Sequence, residues 1–334
     1  MSTGMSQKIE QSPNQQMMSN ASALKSILTG PPETTAHLVW DLKCELGECC
    51  LYDDETDEII FCEILGKRLH KLSLEDGATK SFELPKMMGS FALLEKGAKG
   101  YLCAWEDSFQ IYDVESKKGL SAISQGEPVN PDGLPTRLND GRCDRTGKNF
   151  ICGGYYGDIK GKEMKVYKCT IGEGNTLLHT PLVDSIRVTN SLCFSPDGSA
   201  MYLADSPSKK IHKFDYVEGN ISNKTEFHHQ AVGVPDGSCV DAEGFVWNAI
   251  WRSGEGPSRV VRLDPSSGAE VYRVNVPDNT SQVSCCCFGG TELNILFITT
   301  AAEQRHDSEP QAGGLYAVKL PFKGLQESRL CLTR

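Results

Sequence analysis

Nowhere in the 334 residues is there an unbroken apolar run of the roughly 18 residues that a membrane-spanning helix needs, so no such helix is expected. GxSxG, HExxH and CxxC are all absent. Their absence removes the usual marks of a serine-hydrolase elbow, a zincin metal site and a paired-thiol centre. An excess of positive charge is missing too. Lys plus Arg number 34 against 44 for Asp plus Glu, a net charge of −10. Nucleic acid and anionic membranes both need a basic face, so neither is expected as a partner. Small neutral ligands and cations remain.

Residues 1–35 lack the apolar core of a signal peptide and are rich in Ser, Gln, Asn and Pro. They are expected to form a disordered tail, with an acid-poor organellar transit peptide as the alternative. A cytoplasmic protein is expected. Fourteen cysteines are present, but Cys49-Cys50 and Cys285-Cys286-Cys287 are contiguous and fit no disulfide framework. Free, buried thiols are expected.

What the sequence does contain is repetition. EIIFCEILGKRLHKLSLEDG (58–77) has an apolar strand, a short turn, a second alternating strand and a closing Asp-Gly. GYLCAWEDSFQIYDVESKKG, SAMYLADSPSKKIHKFDYVEG and GFVWNAIWRSGEGPSRVVRLDPSSG follow the same plan, and two looser copies begin at Asn149 and Asn294. Each is preceded by one more short strand. The units recur at roughly 40 to 50 residues, the spacing of propeller blades. A four-stranded meander cannot hide both faces alone, whereas a closed ring of them can. The expected fold is all-β: a six-bladed β-propeller over residues 36–334, with four-stranded antiparallel blades. Ala36–Leu42 has strand character but no blade of its own, and is expected to close the ring beside LYAVKL.

The first strand of each blade lines the channel, so the residues where these strands begin face one mouth. Those positions hold Glu48, Asn139, Asn190 and Asp236. Any one of them alone reads as a turn former. Together they make an oxygen-only set with a charge of −2, suited to Ca2+ and, less well, to Mg2+ or Mn2+. Trp105, Trp247 and Trp251 are expected to pack between blades more often than to line the pocket.

The stretches LGE (46–48), RLNDGRCD (137–144), TNSLCFSPDGS, ADS (204–206), PDGSCVDAEGFVWNA, RVVRLDP and CCFGG resemble the SMP-30/gluconolactonase/luciferin-regenerating-enzyme family. The resemblance runs from about Val39 to the C-terminus. It implies a six-bladed propeller that hydrolyses aldonolactones with one divalent metal, Ca2+ first and Mn2+, Mg2+ or Zn2+ as alternatives. It further implies that Glu48, Asn190 and Asp236 ligate the metal, with Asn139 as a ligand or beside it. Arg137 and Asn139 would bind the sugar, and Asp236 would act as base toward a metal-activated water. A small-molecule sugar lactone is then the expected partner, and a monomer or weak dimer the expected state. Two departures stand out. Cys49-Cys50 follow LGE where a small residue or Pro is usual, and the position of a substrate-contacting Glu of animal members falls near Gly157, with Tyr155, Tyr156 and Asp158 around it. The rival readings are a non-enzymatic calcium-binding or scaffold propeller, and a metal-dependent aryl-ester or organophosphate hydrolase.

Overall fold

The computed structural model describes residues 13–130, 133–157, 163–254, 256–277 and 280–332. The alternating segments fold as antiparallel meanders. Four sheets of four strands each run in sequence order. They start at Gly47–Asp53, Met88–Leu93, Arg137–Cys143 and Thr189–Phe194. A further eight-stranded path holds two four-strand runs, one starting at Val234–Val240 and one at Gln282–Gly289. A single pair, Trp251 with Gln282, joins those two runs.

Both faces of these sheets are apolar, so they must stack. Leu102, Phe109, Phe150, Val166, Leu192 and Met201, from three consecutive sheets, form one buried cluster. Each such side chain contributes about 1.5–3 kcal/mol by leaving water. The first strands touch in succession, and Gly47–Asp53 packs against Gln282–Gly289 to complete the circuit. His37–Trp40 pairs antiparallel with Leu315–Lys319, as expected for the closing strand. Trp40 then meets Phe61 edge-on at 6.0 Å, which ties the closing strand to the first sheet.

The expectation of a disordered tail over residues 1–35 is corrected for part of its length. Pro13–Thr29 is a helix. Its Leu24 and Ile27 are buried among Trp40, Tyr52 and Phe297, with Leu28 beside them. The spacing of 24, 27 and 28 places these residues on one helical face, a signal hidden by the polar composition around it. Residues 1–12 lie outside the described residues.

The far mouth of the channel is crossed by the C-terminal segment. Glu327 pairs with Arg142 at 2.8 Å, Leu330 bridges to Leu94, and the Cys331 N–H donates to the Gly147 carbonyl. No helix among the described residues is long and apolar enough to cross a membrane.

Candidate metal centre

Each first strand carries an irregularity where the sequence places its polar residues. The ladder slips between Glu48 and Leu51, Leu138 and Gly141, Asn190 and Cys193, and Pro235 and Ser238. Such bulges insert an extra residue, bend the strand and re-aim side chains. Cys49 and Ser191, directly after Glu48 and Asn190, have φ of 48° and 55°. A non-glycine residue occupies that region at a cost on the order of 1–3 kcal/mol. At the matching point after Asp236 stands Gly237, where a Cβ would lie 2.6 Å from Cys285 Sγ. Glu48, Asn139, Asn190 and Asp236 thus sit inside their strands rather than at the point of entry, and the bulges turn them toward the channel.

There they line one cavity of about 630 Å³, together with Arg137, Tyr155, Ser206 and Trp251. All five residues singled out from the sequence are brought together, and all are buried. Arg137 donates to Asn139 Oδ1 and to the Leu138 carbonyl, and its guanidinium lies 4.4 Å from the Tyr155 ring centre. Asn139 Nδ2 donates to the Thr189 carbonyl at 2.7 Å and to Asn190 Oδ1 at 3.1 Å. Asn190 Nδ2 in turn donates to Ser206 Oγ at 2.8 Å. A carboxamide oxygen has two lone pairs, so Asn190 Oδ1 keeps one for a ligand.

The carboxylates are the unbalanced part. Glu48 accepts one backbone hydrogen bond, from Cys49 N–H at 3.2 Å. Neither Glu48 nor Asp236 forms an ion pair with a described residue. Burial, followed by the charge of Asp140, pushes the Glu48 carboxyl up to about 8. Burial, then Glu48 and Asp140, pushes Asp236 well above the usual carboxylate range. Arg137 offsets this only in part, and burial lowers its own pKa. Two buried acids beside two amide oxygens are a donor set that could hold a hard divalent cation.

Three contributors escaped sequence reasoning. Asp140 is buried next to Asn139, and its Oδ2 accepts from Leu192 N–H at 2.8 Å. Ser206 orients Asn190, though its ADS stretch was visible. Asn248, within FVWNA, donates from Nδ2 to the Asp236 carbonyl and to Ser191 Oγ, both at 2.9 Å. It therefore holds two bulges at once. Asn248→Ala is expected to destabilise the fold by about 1–3 kcal/mol, read as a lower urea midpoint at unchanged slope. Cation affinity should fall about 10- to 100-fold, read by calorimetry, as for other outer-shell supports.

The two departures resolve differently. Cys49 is buried, with its Sγ 3.6 Å from the Phe91 carbonyl, so it fills the joint between the first two sheets. Tyr155 takes a place on the cavity wall, and Asp158 lies outside the described residues. Trp105 and Trp247 are core residues, whereas Trp251 lines the cavity. All described cysteines are free thiols, and Cys331 alone among them is exposed.

Closed antiparallel meanders around an oxygen-lined mouth define a β-propeller with a polar axial site. The fold is shared with the β-propeller domain of Cps50 from Myceliophteria thermophila, at a TM-score of 0.52, 9% identity and 81% and 82% coverage of the two chains. Residues 46–302 match the SMP-30/Gluconolactonase/LRE-like region, and the chain belongs to that family. It is 31% identical to L-arabinolactonase of Azospirillum brasilense over 90% of this chain and 97% of that protein. To regucalcin of Xenopus laevis it is 27% identical, covering 84% and 93%. The solved structure of the calcium-binding protein regucalcin from Agrobacterium tumefaciens superposes with a TM-score of 0.77 at 26% identity, covering 89% and 97%.

Proposed function

We propose that this chain is a six-bladed propeller that opens sugar lactones, gluconolactone among them, in a reaction dependent on a divalent metal. The carrying observation is the pair of buried carboxylates, Glu48 and Asp236, lining a cavity of about 630 Å³ with no ion-pair partner among the described residues. The lactonase activity named for the Azospirillum relative supports the reaction class.

Glu48, Asn190 and Asp236 would hold the cation, Ca2+ by the oxygen-only donors, with Mn2+, Mg2+ or Zn2+ as substitutes. Bound there, a divalent cation supplies Lewis acidity toward the lactone carbonyl and acidifies water. Asp236 accepts the proton of the attacking water and returns it to the leaving ring oxygen. Arg137, steadied on Tyr155, donates hydrogen bonds to the sugar hydroxyls. Asn139 links Arg137 to Asn190 and so keeps the sugar-binding and cation-binding groups in register. Trp251 offers an apolar wall to the sugar face.

Proton release from a panel of aldonolactones, on metal-stripped and then metal-restored protein, tests this reading. Metal-dependent turnover is expected, with aryl esters and organophosphates turned over more slowly. If no lactone is opened while calorimetry still detects Ca2+ binding, the enzyme reading fails and a calcium-binding regulator takes its place.

A further inference from the structure

Three side chains of a different chemistry meet on the first sheet, away from water. Cys44 follows the ring-closing strand His37–Trp40, Glu63 ends the strand Glu58–Glu63, and His70 lies within Arg68–Ser73. All are at most 5% exposed. Cys44 Sγ is 3.9 Å from His70 Nε2, and that nitrogen is 3.5 Å from Glu63 Oε2. The three ligand atoms all lie within 4.8 Å of one another. Tetrahedral zinc, with bonds of about 2.0–2.3 Å, separates its ligands by about 3.3–3.7 Å. The cluster therefore needs a contraction on the order of 1 Å at its widest.

The surroundings pre-orient these donors. His70 Nδ1 lies 2.8 Å from Ser81 Oγ, the outer-shell contact that fixes a ligating imidazole. Trp40 and Phe61 clamp the ring, with centroids 5.5 Å and 5.1 Å away. Glu63 Oε1 accepts from Glu45 N–H at 3.1 Å, which leaves Oε2 toward His70. At Gly66 a Cβ would fall 2.3 Å from the Glu63 carboxyl carbon, so a glycine leaves the room that this carboxylate occupies. The Cys44 backbone is held twice: its N–H donates to the Gly313 carbonyl, and its carbonyl accepts from Ala302 N–H. Arg68, 3.4 Å from Glu63 Oε2, is half exposed and can release the carboxylate to solvent.

We propose that Cys44, Glu63 and His70 form a second metal site, of the zinc class, which pins the ring-closing strand to the first sheet. Thiolate, imidazole and carboxylate together select a borderline cation, whereas the channel centre offers only oxygen and selects a hard one. Water would complete the coordination. Binding displaces the thiol proton to solvent.

Co2+ is the probe. The full chain, stripped of metal and then supplied with Ca2+ to fill the channel centre, is titrated with Co2+ and followed by absorption. One equivalent is expected to raise a thiolate-to-cobalt charge-transfer band and the intense visible bands of tetrahedral geometry. Both should be lost in Cys44→Ser and His70→Gln and kept in Asp236→Asn and Cys331→Ser. Glu63→Gln, which preserves shape, should weaken Co2+ binding about tenfold or more. Zn2+ should displace the signal and raise the melting temperature of the wild type but not of Cys44→Ser. Weak octahedral bands alone in the wild type would overturn the proposal, leaving a metal-free Glu63–His70 hydrogen bond. So would a charge-transfer band that survives Cys44→Ser. Should that variant not fold, unchanged Co2+ affinity in Glu63→Gln would overturn it equally.

Discussion

Asp236→Asn is expected to lower lactone turnover by about 10²- to 10⁴-fold at saturating Ca2+, the usual contribution of a positioned general base. The substitution keeps the shape and removes only the charge. Its effect on stability should run the other way. Burial and the neighbouring Glu48 and Asp140 already disfavour the charged form of Asp236. An amide in its place relieves that repulsion, so the metal-free variant should melt no lower than the metal-free wild type. A purely structural Asp236 would instead lose stability and activity together. Proton-release kinetics across a Ca2+ titration, with melting followed by circular dichroism in chelator, separate the two. Turnover within threefold of wild type at saturating metal would remove Asp236 from the base role.

The second large effect is a pH slope in the metal-free protein. Glu48 titrates at about 8 when folded, against an ordinary 4.5. A carboxyl whose folded pKa lies above its unfolded value binds its proton more tightly in the native state. Its contribution to stability is then whole below about pH 4.5 and is lost as the pH rises through about 8. Asp236 shifts in the same direction and adds to the slope. Chelated wild type should therefore lose stability relative to Glu48→Gln between about pH 5 and pH 8, by an amount on the order of a few kcal/mol. Ca2+ should offset or reverse this loss in the wild type, whose ionised carboxylates bind it, and should do so far less in Glu48→Gln, which lacks one of them. Denaturant midpoints of both proteins at several pH values, with and without Ca2+, measure this. Parallel curves for the two chelated proteins would mean that Glu48 is not held protonated by its burial.

How far the sequence could be read depends on what kind of signal each feature leaves. Glu48, Asn139, Asn190 and Asp236 were visible because each is a polar residue at the same point of a repeated apolar strand. The bulges that aim them were not visible, since a ladder slip is a relation between two strands rather than a property of one. Asp140, Ser206 and Asn248 were missed for the same reason. Each is an unremarkable polar residue until a neighbouring strand supplies its partner, as Asp236 and Ser191 do for Asn248. The helix Pro13–Thr29 went unread because three apolar residues, Leu24, Ile27 and Leu28, carry its packing within a polar stretch.

By itself the sequence determined the all-β class, the repeating meander, the strand that closes the ring and the oxygen-rich character of the channel mouth. These rest on period, turn chemistry and strand-edge polarity, all of them local in the chain. Only the tertiary structure decided that Glu48 and Asp236 form no ion pair with a described residue, that Arg137 rests on Tyr155, and that Cys44, Glu63 and His70 converge. Closing the ring sets residues far apart in the chain side by side, and burial there turns ordinary carboxylates and thiols into groups that favour their proton unless a cation takes its place.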